Sequence, residues 1–453
     1  MKRIALALGA AIAVTGPVLA APSDCDPTSS PVGSTQTFSP AGAMDVYSGG
    51  PMSASCSISG ALPSSGADKY VVYSTDIRGA AYVYDDSSSV SVTRDAFGDA
   101  KTTTHAGETE LDTFVITDRY AAGLGYTGGF NGDYATSLTG DGELYIDDIT
   151  VTMAWTTMAE QKDSFTQLAL GQAGIVTHLD GMTNLLTGGN LALEGDNEIG
   201  VLGGIGSYMV GATARANIAE GISLLGGVSF VDFKSGGAGA SGVNGALALR
   251  YVEPSDAAMR FFGEAGVQVG ALNVSLSRSF YDSQTFSSDY DATGSGDALL
   301  GAVYVRGGIV VEPMPDHEVV VSASLKQSVL GITNYAEDDP LANPNLFAAD
   351  LSGTGSSFTT VKTGVDWTAQ LTDSVDLTAS GAVGATFGSG VTGTVFGVGA
   401  VTGEASTVLF AEYGLRLGLE PAPNSRIDAF VQGTTGTGIG THAQVGAAYR
   451  MSF

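Results

Sequence analysis

The chain has 453 residues, 64 of them glycine and only 15% charged, and its 47 acidic against 19 basic side chains give a formal charge of -28. That balance argues against nucleic acid and against electrostatic docking on anionic lipid, both of which select basic stripes. No apolar run of the roughly 18 residues that a spanning helix needs occurs past the N-terminus, and the glycines follow neither a collagen period nor a linker composition, since valine, leucine and aromatics are interleaved with them.

At the N-terminus Lys2 and Arg3 precede an apolar stretch over residues 4–14, and Val18-Leu19-Ala20 offers small or modest residues for cleavage. Residues 1–20 therefore read as a secretory signal peptide, with the mature chain starting near Ala21 outside the cytoplasm. In an oxidising compartment Cys25 and Cys56 are expected to form a disulfide rather than a metal site or a nucleophile.

Residues 21–160 read as a small β-rich domain. Stretches at 69–74, 80–84, 89–93, 113–117, 142–146 and 150–155 have strand composition and are divided by Gly, Ser and Asp turns. A compact sandwich-like domain fits better than a solenoid, because no repeat of about 20 to 50 residues is present. Chemistry is scarce in it. His105 is its single histidine and no G-x-S-x-G elbow exists, so a displayed hydrolase finds little support. Asp85, Asp86, Asp141, Glu143, Asp147 and Asp148 lack EF-hand spacing and read as solvated loops. Tyr70, Tyr73, Tyr82, Tyr84, Tyr120 and Tyr126 read as cross-strand packing rather than a binding face. No catalytic residue, cofactor or metal site is expected, and the protein is not expected to be an enzyme.

A helix is predicted between residues 164 and 186, within a linker spanning 161–190. Phe165, Leu168, Ile175, Leu179, Met182 and Leu186 fall at three-four spacing interrupted at Gln172, and Ser164 with Gln167 forms a capping box. The plain reading is an amphipathic linker packed on a neighbouring domain. The sharper one is a plug or tether through a polar pore, for which the small residues Ala169, Gly171, Ala173 and Gly174 would keep the helix thin. The alternating segments downstream of residue 191 favour the plug.

From residue 191 to 453 the pattern has a period of two. Ala443, Val445, Ala447, Tyr449, Met451 and Phe453 alternate with His442, Gln444, Gly446, Ala448, Arg450 and Ser452, and Leu409, Ala411, Tyr413, Leu415, Leu417 and Leu419 alternate with Phe410, Glu412, Gly414, Arg416, Gly418 and Glu420. Alternation alone would serve a soluble sandwich. The glycine- and charge-rich second face and the terminal aromatic at the end of an apolar row instead suit a transmembrane barrel, greasy outside and wet within. Twelve strands are predicted near 197–204, 207–218, 222–234, 242–253, 260–280, 297–312, 318–332, 358–371, 375–387, 406–420, 425–434 and 440–453. Tight connections at 218–221, 254–256, 313–316, 371–374 and 421–425 alternate with mostly longer ones, as in outer-membrane barrels. Backbone groups in hydrocarbon must all be paired, so the sheet has to close. Leu415 is expected to face lipid, and Arg416 to face the lumen and to tolerate glutamine.

A signal peptide, an exported β-rich segment, a helix and a C-terminal barrel ending in Tyr449-Arg450-Met451-Ser452-Phe453 resemble the classical autotransporters of type V secretion. Residues 176–186, followed by Glu198-Ile199-Gly200-Val201-Leu202-Gly203-Gly204, look like the pore helix and first barrel strand of that family. The resemblance implies an all-β fold in which a 12-stranded antiparallel transmembrane β-barrel with a pore-spanning α-helix follows a small passenger domain. It also implies a barrel held in outer-membrane lipid, with the passenger displayed at the cell surface, where it would meet a host or cell-surface ligand. Tyr449, Met451 and Phe453 would be read by the barrel assembly machinery, and no nucleic acid is implied as a partner. Some members cleave the passenger at paired asparagines in the helix. This chain has no such pair there, so surface retention is expected. A diffusion channel with a periplasmic N-terminal domain is the competing reading.

Overall fold

The computed structural model describes residues 43–49, 56–57, 69–83, 89–94, 104–106, 110–122, 131–139, 143–187, 197–235, 237–255, 257–282, 287–337, 347–351 and 353–453, and, of these, side chains from residue 156 onward except 235, 281–282 and 287–291. The signal segment and Cys25 lie outside the described residues, and Cys56, His105 and Tyr70 are described by backbone alone. The chain divides into two compact units, one ending at Met158 and including Tyr281–Ser287, the other Ala159–Phe280 with Ser288–Phe453.

The N-terminal unit contains β1 (Ala43–Gly49), β2 (Cys56–Ser57), β3 (Lys69–Val83), β4 (Ser89–Arg94), β5 (Thr104–Ala106), β6 (Glu110–Ala122), β7 (Asn131–Thr139) and β8 (Glu143–Thr157). They form a five-stranded sheet of order β2-β1-β7-β4-β5 and a three-stranded sheet of order β6-β3-β8. The stretches expected as separate strands at 69–74 and 80–84, and at 142–146 and 150–155, are each one continuous strand. The polar interruption between them is absorbed as a register shift at Arg78 and Gly79 where β3 pairs with β8 rather than as a turn.

β8 runs directly into α1 (Met158–Leu186). The helix starts six residues before the expected Ser164, because Met-Ala-Glu-Gln-Lys is a run of strong helix formers with Glu160 in the first turn, where the dipole favours an acid. The expected capping box is therefore not a cap. Ser164 lies a turn inside and donates from Oγ to the Gln161 carbonyl at 2.8 Å, while Gln167 reaches out of the helix altogether.

The remainder closes on itself. β9 (Glu198–Ile205), β10 (Tyr208–Ala219), β11 (Ile222–Ser235), β12 (Ala238–Val252), β13 (Met259–Asp282), β14 (Ser287–Met314) and β15 (His317–Glu337) are followed by a short β16 (Ala349–Asp350). Then come β17 (Thr354–Thr372), β18 (Val375–Gly388), two short strands β19 (Thr392–Val395) and β20 (Gly399–Thr402), and finally β21 (Ser406–Ala422), β22 (Ser425–Gly436) and β23 (Gly440–Ser452). Twelve of them form one closed barrel in which β23 pairs antiparallel with β9, from Ser452 opposite Glu198 to Val445 opposite Ile205. Each of the twelve predicted strands is present. The even count and closure leave no sheet edge along the wall, the condition for spanning lipid with strands.

The two rims differ. At the one where Glu198 meets Ser452, two-residue turns join Ala219 to Ile222, Met314 to His317, Thr372 to Val375 and Ala422 to Ser425. Gly221, Asp316 and Asn424 supply a positive φ in three of the four. The opposite rim has tight connections too, from Ile205 to Tyr208 and from Gly436 to Gly440, but it also carries the two long ones, β15 to β17 and β18 to β21. The long connections contribute β16, β19 and β20, which pair into a three-stranded sheet that the sequence pattern did not suggest. In outer-membrane barrels short turns are periplasmic and long loops extracellular.

Side chains alternate as expected. Val201, Leu247, Val305, Leu415, Tyr449, Met451 and Phe453 are exposed on the outside, while Arg250, Gln268, Lys326, Arg416 and Arg450 are buried on the inside. An apolar exterior over a polar interior is the inverse of a soluble sandwich, and it fits a wall in contact with lipid.

Candidate functional site

The inward faces of the barrel strands present Lys, Arg, Glu, Gln and Ser, which would need water or partners if the lumen stood open. Much of that lumen is occupied by α1. At 1.5 Å per residue its 29 residues span about 43 Å, close to the full thickness of a bilayer. The expected pore-helix residues Phe165, Leu168, Ile175, Leu179 and Met182 are all buried, and so are Gln161, Gln172, Thr177, His178, Asp180 and Thr183 on other faces. A helix buried on all sides is enclosed rather than laid on a surface, which disposes of the amphipathic-linker reading. Helix and wall meet at three heights.

At the long-loop rim the centre is Arg278, with no exposed surface. Its Nε and Nη2 donate to the two Glu337 oxygens at 2.7 and 2.9 Å, and Nη2 also donates to the Phe347 carbonyl at 2.5 Å. Nη1 reaches the helix, donating to Gln161 Oε1 at 2.7 Å and Ser164 Oγ at 3.0 Å. The guanidinium lies 5.7 Å from the Phe165 ring centroid and 4.7 Å from that of Phe280. Glu337 in turn accepts from the Ala349 amide at 2.8 Å, tying in β16. Phe165 is surrounded by the small loop sheet. A Cβ on Gly393 would come within 3.0 Å of its ring, and a Cβ on Gly403 would collide with the helix backbone at Phe165 and Thr166. The Glu404 amide donates to Thr166 Oγ1 at 2.9 Å, and Gln167 exchanges two hydrogen bonds with the Ser279 backbone. The loop sheet is thus a collar resting on the helix.

The middle is ionic. Asp180 accepts from Lys326 Nζ at 2.9 Å and from Lys362 Nζ at 2.7 Å, and Lys362 is shared with Glu412 at 3.0 Å. Thr177 Oγ1 donates to Thr386 at 2.9 Å, and Gln268 lies at 3.5 Å from the Leu179 carbonyl. The small residues expected to thin the helix do so. A Cβ on Gly174 would lie 2.8 Å from Ile439 Cγ2, and one on Gly171 would lie 3.2 Å from Leu276 Cδ2. A polar cavity opens along one side of residues 178–184, bordered by Tyr304, Arg306, Lys362, Glu412 and Gln444.

Near the short-turn rim, Arg250 donates to the Thr187 carbonyl at 3.1 Å and to Glu264 at 2.8 Å, and Glu264 accepts from Tyr304 Oη at 2.8 Å. Arg250 thereby meets the C-terminal end of α1, where carbonyls are left over and the dipole favours cations. The same rim carries a lattice of ion pairs over the last strands. Arg416 pairs with Asp376 at 3.1 Å and Asp428 at 3.5 Å, Arg426 with Asp376 and Asp428, and Arg450 with Asp428 at 2.5 Å and with Glu198 across the closing seam at 3.3 Å. Arg416 faces the lumen as expected, but it is a bonded member of this lattice and not a solvated lumen residue. The expectation that glutamine would be silent there is corrected. The clamp residues Arg278, Lys326, Lys362 and Arg250 were not singled out in the sequence. A long charged side chain on the wet face of a strand was the available signal, and its partner on the helix was not.

No protein-family model and no curated protein sequence matches the chain. Among solved structures it is similar to the translocator domain of the autotransporter NalP from Neisseria meningitidis, at 16% identity and a TM-score of 0.43, covering 64% of this chain and 99% of that one. It is also similar to the β domain of the Bordetella autotransporter BrkA, at 12% identity and 0.36, covering 57% and 99%, and to the NanC porin, at 10% and 0.28, covering 57% and 98%. Likenesses this remote carry no functional weight, and the closed barrel stands on the chain's own strand pairing.

Proposed function

We propose that the chain is an autotransporter of type V secretion. Its barrel sits in the outer membrane, and the segment preceding α1 is exported to the cell surface, retained there and displayed as an adhesin would be, without covalent chemistry. The observation that supports this is the direction of α1. Its N-terminal turns bond to Arg278, Glu404 and the collar at the long-loop rim, and its C-terminal end bonds to Arg250 near the short-turn rim. With short turns on the periplasmic side, the chain before Met158 leaves the pore on the outside, having passed through it. Retention is supported by the clamps at three heights and by the single asparagine of the helix, Asn184.

The test is an epitope inserted near Ser65 in the full-length protein, probed on intact cells with antibody and with added protease. Surface labelling and protease loss are expected. Shielding of residues 21–160 until the outer membrane is breached would overturn display and favour the periplasmic-domain channel. A displayed hydrolase requires activity on ester or peptide substrates that His105→Ala abolishes, and neither is expected.

A further inference from the structure

The geometry points to a divalent transition-metal site inside the barrel, held by His178 of α1 and His442 of β23 and joining the helix to the strand that closes the wall. It goes against the expectation of no metal site and does not depend on the direction of export.

The two imidazole rings lie 4.6 Å apart, centroid to centroid, tilted by 48°. Phe233 of β11 stands edge-on to both, at 5.3 Å from His178 and 5.9 Å from His442, and limits how far either ring can turn. Both Nε2 atoms are buried and have no protein hydrogen-bond partner. Two residues along the same inward row of β23, Gln444 is 3% exposed and neither its amide oxygen nor its nitrogen is bonded. Buried polar atoms are ordinarily paired, and an orphaned cluster calls for a ligand. The obvious ionic partner is taken, because both oxygens of Asp180 are held by Lys326 and Lys362.

Neutral imidazole nitrogen selects zinc, copper and nickel over calcium or magnesium, and bonds of about 2.0–2.1 Å to zinc require the two Nε2 atoms to converge on one point. Among the described residues no group of three or more His, Cys, Asp or Glu converges, so the site is a two-histidine one completed by the Gln444 amide oxygen and water. Glu412 Oε1, also buried and unpaired, borders the same cavity and adds negative charge. The cavity gives an ion a route in.

The chain has four histidines, which makes the test clean. Full-length protein folded in detergent, stripped with EDTA and carrying His105→Gln and His317→Gln to clear the background, is titrated with Cu2+ and followed by electron paramagnetic resonance. One copper per chain with superhyperfine splitting from two imidazole nitrogens is expected. His442→Gln or His178→Gln should then weaken binding at least about tenfold, the lower bound set by losing a mere supporting group. Zn2+ should raise the temperature at which the folded band is lost on an unheated gel, and should not do so in His442→Gln. No stoichiometric copper in the otherwise intact folded protein, or a spectrum unchanged by His442→Gln, overturns the site; the first of these needs no variant at either ligand.

Discussion

The outer half of α1, up to Ala173, and its inner half, from Gly174 to Leu186, are held in the same lumen by different means. Around the outer half Phe165, Leu168, Phe347, Leu351, Val391, Val395 and Val401 are all buried, the collar comes down to backbone contact, and one arginine gathers the polar ends. Around the inner half the wall is hydrophilic, a cavity runs beside the helix, and attachment is by Asp180 with two lysines and by Arg250 at the last carbonyls. Apolar packing grips one face of the helix at the long-loop rim, although an opening remains beside Gln167, Leu170 and Gly171. Ion pairs fix register along the axis but leave room for water. The helix is therefore gripped by packing at the long-loop rim and tethered by charge toward the other.

Arg278→Ala tests this most severely. Glu337 would be left buried without its cation, and breaking such a pair costs about 3–5 kcal/mol. Thermal unfolding of the folded protein should show the loss, and amide exchange should rise over residues 161–170 while residues 178–186 keep their protection. Equal loosening of both halves would make the helix one unit and break the comparison. Asp180→Asn leaves buried Lys326 without the carboxylate it bonds, while Lys362 keeps Glu412 and the asparagine oxygen still accepts, so the cost should be about 3 kcal/mol, at the low end for a broken buried pair. It should raise exchange only in the inner half. Leu415→Arg probes the wall from outside, and an arginine facing the mid-bilayer costs about 2–4 kcal/mol. It should lower assembly into membranes without altering exchange in the helix. Arg416→Gln, next along the strand, is expected to cost about 1–3 kcal/mol because it strands hydrogen-bonding groups of a buried lattice, so folded yield should fall here too, through the lumen rather than the lipid. The smallest net effect belongs to Gly174→Ala, about 1 kcal/mol, since crowding of the new methyl against the β-branch methyl of buried Ile439 is partly offset by the better helix propensity of alanine.

The wall was legible in the sequence to its strand count and facing, because period two with one greasy face is a local property. Tyr449, Met451 and Phe453 point outward and His442 and Arg450 inward, as the alternation required. The apolar positions of the helix were legible too. Its true start was obscured because Ser164 mimics a cap, whereas Met158 to Lys162 continue out of a strand with no polar stop. The clamps were illegible for another reason. Arg278 lies 59 residues from Glu337 and 117 from Gln161, and nothing in the spacing joins residues that meet only when a sheet closes around a helix. The collar is hard to read because its three strands are two to four residues long and sit in long loops, the one that carries β19 and β20 being rich in glycine.

Gly403 carries one more implication. Its main chain rests against that of Phe165 and Thr166, with no space for even a methyl group between them. On that side the helix and the loop that follows β20 share one van der Waals surface, so any side chain larger than hydrogen at this position would push the collar off the helix.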